Sequence, residues 1–394
     1  MGYARTVSRL PTDFTLLQVI PELETGGAEQ TTLDVARAVI RAGGRALVAS
    51  RGGRMAARLA VDGAELITLP AQSKNPVVML ANTNRLIEVI RREKVSLVHA
   101  RSRAPAFSAL QAARATDTPF VATYHGVYNA RSAVKRWYNG VMTRGDVVIA
   151  NSEFTRQHVI SEHHMAPDKV VAIPRGVDLS VFEPASVPAD RVAALAERWG
   201  IAADDARVRL LLAGRLTRWK GQVLLIEAVA RVKAAGGPIP LVLLVGDDQG
   251  RADYRAELEA LIARHDLEGS VRLVGHCDDM PAAYLLADIA CAPSLDPEAF
   301  GRTAVEPQIM GRPVLAADHG AARETVVDGE TGWLVKPGDI DAWARAVGHA
   351  LTLAPAARDA MGHVAARRAR RLYSVDAMCE ATLGVYARVL EAKA

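Results

Sequence analysis

The sequence predicts an α/β protein built from two doubly wound parallel sheets, and three observations carry the prediction. Short β-rich apolar runs alternate with helical stretches along the chain, the pattern of parallel strands covered by helices on both faces. That series occurs twice, with a proline-bearing polar stretch between its halves. The 394 residues, half of them hydrophobic, also exceed one ordinary core, because domains cluster near ~100 to 150 residues.

In the first half the apolar runs place strands at 15–20, 46–50, 65–69, 96–100, 120–124, 146–150 and 170–173. Residues 174–209 contain Pro174, Pro184, Pro188 and a polar, alanine-rich helix at 191–199, and read as the region of the connection. The second half places strands at 208–213, 241–245, 271–274, 288–292, 313–316 and 333–335. A further amphipathic helix follows at 376–393, after the second sheet is complete. The expected organisation is an N-terminal domain over 1–178, a linker over 179–207, a C-terminal domain over 208–372, and a closing helix within 373–394 that packs back toward the first domain. Ligands of doubly wound sheets bind outside the carboxyl ends of the strands, so the loops after strands are where chemistry is expected. Two such domains facing across a cleft pool those loops.

Composition narrows the function. With 23% charged residues and a mean hydropathy of +0.07 the chain is globular. No apolar run reaches the ~20 residues of a membrane span, and residues 1–10 lack the apolar stretch of a secretory signal, so the expected address is the cytoplasm. Cys277, Cys291 and Cys379 stand apart, odd in number and without paired spacing, so neither a disulfide framework nor a cysteine zinc site is expected. Net charge is +4, but residues 85–144 alone hold eleven Lys and Arg against three acids, an excess of +8. A basic surface there fits a solvated face, an anionic acceptor or an acidic membrane. Nucleic acid is the poorest fit, because no finger, homeodomain or aromatic ribonucleoprotein pattern accompanies the charge.

The sequence has no GxxxxGK[ST] phosphate loop, no GxGxxG after the first strand, no GxSxG elbow and no HExxH. Its richest constellation is Pro297-Glu298-Ala299-Phe300-Gly301-Arg302-Thr303-Ala304-Val305-Glu306, two glutamates eight positions apart with a glycine-led helix start between them. Free N–H groups near Gly301, Arg302 and Thr303 suit an anion such as a diphosphate. A carboxylate accepts from two neighbouring hydroxyls at once, so Glu298 suits sugar hydroxyls and Glu306 a ribose diol. A second segment, Leu212-Ala213-Gly214-Arg215-Leu216-Thr217-Arg218-Trp219-Lys220-Gly221, follows the first strand of the second half and opens a helix. It puts Arg215 and Lys220 at a strand's carboxyl end, where two cations can hold a pyrophosphate and meet the charge that develops as it leaves. Arg218, in the same loop, reads as surface.

These segments resemble the retaining glycosyltransferases of the GT-B type, specifically family four, also called glycosyltransferase group 1. The resemblance runs over nearly the whole chain. Pro21-Glu22-Leu23 and Thr25-Gly26-Gly27-Ala28-Glu29-Gln30 look like the family's glycine-rich loop, and Tyr124-His125-Gly126 like its His-Gly turn. Ala150-Asn151-Ser152, Ile173-Pro174-Arg175-Gly176-Val177-Asp178, Pro313-Val314 and Asp328-Gly329 with Thr331-Gly332-Trp333 follow in the family's order. The resemblance implies that Arg215 and Lys220 bind the donor diphosphate, Glu306 the nucleoside ribose, and Glu298 with the backbone of Phe300, Gly301, Arg302 and Thr303 the donor sugar and its phosphates. It further implies that Gly26 and Gly27 admit the phosphates, that His125 is a hydrogen-bonding partner near the donor sugar, and that the donor is a UDP- or GDP-sugar handled without a cofactor or bound metal. Retention is pictured in this family as same-face attack, with the leaving phosphate helping to take the acceptor proton.

The sequence departs from the family pattern at Pro307 and Arg302. Pro307 restricts the helix start and bears on the phase of Glu306; Arg302 adds a cation suited to a phosphate or acceptor contact. Asp339-Ile340-Asp341 spells DxD, but before a helix it reads as an N-cap. In 131–144, Val134, Trp137, Tyr138 and Val141 recur at helical spacing among Lys135, Arg136 and Arg144, which fits either a half-buried helix or one lying on an anionic bilayer. The expected activity is transfer of a sugar to a saccharide or lipid-linked acceptor, with lipopolysaccharide core or capsule assembly as the leading pathway, at the inner face of the cytoplasmic membrane. The alternatives are a nucleotide-sugar epimerase of the same architecture and a catalytically silent sugar-nucleotide-binding partner of a transferase.

Overall fold

A computed structural model of the chain describes residues 10–24, 26–128 and 132–393. It divides into two compact units, Met1–Gly176 with Val375–Ala394, and Val177–Ser374. The first holds parallel strands β1 (Thr15–Val19), β2 (Arg45–Ser50), β3 (Glu65–Thr68), β4 (Leu97–Ala100), β5 (Phe120–Tyr124), β6 (Val147–Ala150) and β7 (Val170–Ala172), side by side in the order β3-β2-β1-β4-β5-β6-β7. The second holds β8 (Arg209–Ala213), β9 (Leu241–Val245), β10 (Val271–Gly275), β11 (Ile289–Ala292), β12 (Val314–Ala317) and β13 (Gly332–Val335), in the order β10-β9-β8-β11-β12-β13. All of them fall on the apolar runs named from the sequence.

The central strands are largely apolar because both faces of each sheet are covered there, whereas Glu65 and Thr68 at the ends of the edge strand β3 are exposed. In β1, Leu17 and Val19 face one core layer with Leu47 and Val98, while Leu16 faces the other with Phe14 and Val48. In β8, Leu210 and Leu212 serve one layer and Leu211 and Ala213 the other. Two-sided burial removes the polar alternation of a half-wet strand, and each leucine so buried stabilises by ~1.5 to 3 kcal/mol. In each sheet the strand order reverses once, between β1 and β4 and between β8 and β11. Such a switch point opens a crevice beyond the carboxyl ends, which singles out the loops after those four strands.

Two expectations need correction. Residues 179–207, expected as a linker, are part of the second unit: Phe182, Val187, Leu195 and Trp199 share a buried cluster with Leu211 and Tyr284. The helix Ala189–Arg198 exposes most of its surface and so reads as polar, yet Leu195 and the adjoining Trp199 anchor it. The helix expected within 131–144 covers only Ala133–Asn139, and Gly140–Thr143 continues as a 3-10 turn. Tightening to about 3 residues per turn rotates the side chains beyond Asn139. Val141 therefore enters the core at 0% exposure, whereas Val134 and Trp137 stand 75% and 58% exposed. Arg131, Thr25 and residues 1–9 lie outside the described residues.

The helix Val375–Glu391 belongs to the first unit. Its Tyr386 is fully buried beside Phe14, with the hydroxyl 2.6 Å from His99 Nδ1. Among the described residues no helix is long and apolar enough to cross a membrane.

Candidate active site

In the second unit the loop after β8 runs as a single 3-10 turn, Arg218–Lys220, and enters the helix Gln222–Ala234 through Gly221. Gly221 has φ +79°, and a Cβ there would meet the Pro293 carbonyl oxygen at 2.0 Å. Only glycine lets this loop lie so close to the loop after β11, and the Leu295 N–H fastens the two by donating to Trp219 O at 2.7 Å. Lys220 Nζ thereby comes within 2.5 Å of Glu298 Oε1. The same oxygen accepts from Ser294 Oγ at 2.8 Å, and the Ser294 carbonyl accepts from His319 Nε2 at 2.9 Å. Behind Glu298, Gly320 (φ +58°) packs so closely that a Cβ would lie 2.9 Å from the Glu298 nitrogen. The lysine ammonium also sits 4.4 Å from the Trp219 ring centre. At 11% and 21% side-chain exposure the pair is shielded enough for strong electrostatics and still open to a ligand.

The two neighbouring arginines differ. Arg215 is exposed, and among the described residues no carboxylate pairs with it; its carbonyl accepts from Gln222 Nε2 at 3.0 Å. Arg218 is also on the surface, but its guanidinium pairs with Glu257 at 2.5 Å and stands 5.2 Å from the Tyr254 ring centre.

Gly301 (φ +76°) caps the helix Arg302–Ile309, which runs on through Pro307. Glu306 is 7% exposed; Tyr284 OH donates to its Oε2 at 3.1 Å and Arg302 Nε to its Oε1 at 2.8 Å. Arg302 thus engages the carboxylate assigned to the ribose. Burial, reinforced by Glu306, holds the Tyr284 hydroxyl well above its usual pKa, so it stays a donor. Phe300 turns its ring into the core, 4% exposed and edge-on to Tyr373, which leaves only its backbone for a ligand. Thr303 lines a small cavity with Ser294, Glu298 and His319. Asp339 caps the helix Ile340–Thr352 by accepting from Ala342 N–H at 2.9 Å, and Asp341 pairs with Arg231, so the DxD triplet is a cap.

In the first unit the loop after β1 ends at Gly26, whose backbone is extended (φ 176°), and the helix Gly27–Arg41 begins beyond it. A Cβ on Gly27 would meet Arg175 Nη1 at 2.1 Å, so this guanidinium rests on the helix start. Arg175 Nη2 also approaches His125 Nδ1 at 3.3 Å. A guanidinium can only donate, so Nδ1 accepts and the His125 proton sits on Nε2. Below them Arg101 is 2% exposed, its Nε 2.8 Å from Gln18 Oε1 and its Nη1 3.3 Å from Thr123 Oγ1. Thr123 Oγ1 in turn lies 2.7 Å from His99 Nε2. Sequence reasoning missed Tyr284, Ser294 and Arg101 and gave Arg175 no role. For Arg175 the signal was its place inside the segment Ile173-Pro174-Arg175-Gly176. Ser294 and Arg101 are marked only by following a strand.

Burial, then Arg101, holds the His99 pKa well below 6.5; burial, then Arg175 and Arg101, does the same to His125. An imidazole neutral in the fold and free to protonate when unfolded contributes stability that is full above about pH 6.5 and is lost as pH falls toward the folded value. The Tm is therefore expected to drop as pH falls from about 7.5 to 5, and His99→Asn to flatten part of that slope. A Tm independent of pH over that range would mean that the two rings protonate freely in the folded chain.

Known proteins share this architecture. The model described as Glycosyltransferase Family 4 matches residues 25–181, and that described as Glycosyl transferases group 1 matches residues 195–368. A D-inositol 3-phosphate glycosyltransferase of Kineococcus radiotolerans is 36% identical over 64% of this chain and 60% of its own length, and one of Xylanimonas cellulosilytica is 31% identical over 70% and 68%. The chain thus spans only about 60% of the Kineococcus relative. A glycosyltransferase structure from Rickettsia africae ESF-5 superposes with a TM-score of 0.87 at 32% identity, covering 96% of this chain and 99% of that one. Anabaena HepE in complex with UDP and glucose gives 0.79 at 24% identity over 95% and 100%, a likeness of fold alone. The chain belongs to the group 1 glycosyltransferases, of GT-B architecture.

Proposed function

We propose that the protein transfers a hexose-type unit from a UDP- or GDP-sugar to a saccharide or lipid-linked acceptor, with retention of configuration and without a metal ion, at the inner face of the cytoplasmic membrane. The Lys220–Glu298 pair at the switch point of the second sheet carries the reading. Lys220 supplies the fixed cation that meets negative charge developing on the diphosphate oxygen, and Arg215 adds a second. Glu298, positioned by Ser294, accepts from sugar hydroxyls, and Glu306 accepts from the ribose on the lone pairs that Tyr284 and Arg302 leave open. The backbone N–H groups of Gly301, Arg302 and Thr303 face the phosphates. Gly26, Gly27 and His125 are the first unit's own candidates for contact with a sugar nucleotide. An acceptor from lipopolysaccharide core or capsule assembly and a phosphorylated cyclitol of the kind named for the relatives are the two to try first.

The test is thermal stabilisation by a panel of nucleotide sugars, about 2.7 kcal/mol at 100-fold excess over Kd, followed by NMR of the product's anomeric centre. Activity is expected to change less than twofold in EDTA, since Lys220 and Arg215 take the cation's role. Complete loss in EDTA with rescue by Mn²⁺ would overturn the metal-free mechanism. Epimerised sugar nucleotide formed without any acceptor would favour the epimerase.

A further inference from the structure

We propose that His319 is a positioning residue for Glu298: from the loop after β12 it fixes the loop after β11, and thereby which carboxylate oxygen is left for the donor sugar. The proposal deepens the functional reading and rests on it for the role of Glu298.

The two oxygens of Glu298 are not equivalent. Lys220 Nζ and Ser294 Oγ both donate to Oε1, at 2.5 and 2.8 Å. Among the described residues no donor reaches Oε2, which keeps its lone pairs for a ligand. The last torsion of a glutamate is soft, so these two donors decide which oxygen stays open. Lys220 is the weaker guide, because its ammonium ends a flexible stem and is the group expected to turn to the diphosphate. Ser294 is the fixed one, a short side chain in a residue only 3% exposed.

The turn after β12 holds Ser294 in place. His319 N–H donates to Ala317 O at 2.8 Å, which ties the turn to the strand end. From there His319 Nε2 donates to the Ser294 carbonyl at 2.9 Å, and the Ala321 N–H donates to the Glu298 carbonyl at 2.9 Å. A Cβ on the intervening Gly320 would stand 2.7 Å from the Glu298 carbonyl oxygen, so turn and loop touch along their backbones. The segment 294–298 is therefore gripped at both ends, by backbone at Glu298 and by one side chain at Ser294. A carbonyl only accepts, so Nε2 carries a proton and, in the neutral ring, Nδ1 is bare. Nδ1 makes no hydrogen bond among the described residues, which leaves the bond to Ser294 as the work of this imidazole. A carboxylate whose open oxygen is fixed accepts from a hydroxyl at one position and leaves an epimer's hydroxyl unpaired, so the clamp bears on the choice of donor.

The experiment is calorimetric binding of UDP, GDP, UDP-glucose, UDP-galactose, GDP-glucose and GDP-mannose to the wild type and to His319→Ala, His319→Asn and His319→Gln. Glutamine brings its amide nitrogen to the place of Nε2, whereas asparagine falls short of it. For the tightest-bound nucleotide sugar Kd is expected to rise about tenfold in His319→Ala and His319→Asn and less than about threefold in His319→Gln, with discrimination against its epimer falling in parallel. For UDP and GDP, which have no sugar to place, Kd should change less than about twofold. Ser294→Ala should weaken the nucleotide sugar as His319→Ala does, and the double variant should lose less than about twofold more, since one residue acts through the other. Thermal unfolding checks each variant, and His319→Gln against His319→Asn carries the comparison if His319→Ala does not fold. Unchanged nucleotide-sugar binding in His319→Ala or His319→Asn overturns the proposal, as do additive losses in the double variant. A glutamine variant as impaired as the alanine one also overturns it, by assigning the effect to Nδ1, and a loss shared by UDP and GDP does so by showing a general loosening of the site. Glu298→Ala is the reference: if it leaves nucleotide-sugar binding unchanged, or if the wild type binds none of the four sugars, the functional reading itself fails. Loss with Glu298→Ala and none with His319→Ala sinks the positioning role alone.

Discussion

Lys220→Ala is expected to lower kcat by about 10²- to 10³-fold, the scale of one preorganised electrostatic contact at ~3 to 4 kcal/mol. Cleaving the bond to the diphosphate concentrates charge on the leaving oxygen, and Lys220 is the cation that the close approach of two loops buries beside Glu298, the glutamate proposed to meet the sugar. The fold should survive, because Glu298 keeps Ser294 as a partner and remains part-exposed. Arg215→Ala should behave similarly. Arg218→Ala removes an exposed, solvent-screened ion pair to Glu257 and should change the rate less than about tenfold. Steady-state kinetics on the three variants decide the matter. Equal modest effects, or a rise in KM alone for Lys220→Ala, would reduce Lys220 to a uniform donor-binding residue.

The second large effect is expected from a single methyl group. Gly221→Ala places a Cβ 2.0 Å from a backbone oxygen at φ +79°, so the loops after β8 and β11 must part or the helix start must shift. We expect a loss of roughly 3 kcal/mol or more in unfolding free energy together with loss of the Lys220–Glu298 geometry. Gly250, with φ +77° and open space around it, is the control: Gly250→Ala should cost only the left-handed strain, ~1 to 2 kcal/mol. Chemical denaturation of both variants tests this. Equal losses would show that the close approach to Pro293 relaxes without cost.

The strands are legible in the order of the amino acids because two-sided burial writes itself as short, largely apolar runs, and Lys220 and Glu298 are legible because each follows a strand at a sheet's carboxyl edge. Their pairing is not, since the two are 78 positions apart and are brought together by the glycine contact at Pro293 and the Leu295–Trp219 hydrogen bond. Tyr284 lies in an apolar helix, Met280–Leu286, that reads as plain core, and nothing local shows its hydroxyl aimed at Glu306. Arg101 escapes notice because a guanidinium reads as surface by default, whereas Gln18 and Thr123 hold this one inside. The segment 179–207 misleads for the converse reason: an alanine-rich, mostly exposed helix reads as connecting chain although its own Leu195 and the adjoining Trp199 are buried.

The bond between Tyr386 and His99 also has a meaning in time. The first unit is closed by residues made after all of Val177–Ser374. At ~5 to 20 residues per second a ribosome needs about 10 to 40 s to lay down that stretch. Throughout that interval Phe14, Leu16 and His99 lack the side chain that covers them. The second unit, continuous in sequence, can therefore complete its core during synthesis while the earlier-made one waits. Nascent chains arrested before Tyr386 should present a chaperone-binding apolar face that vanishes once the last helix emerges.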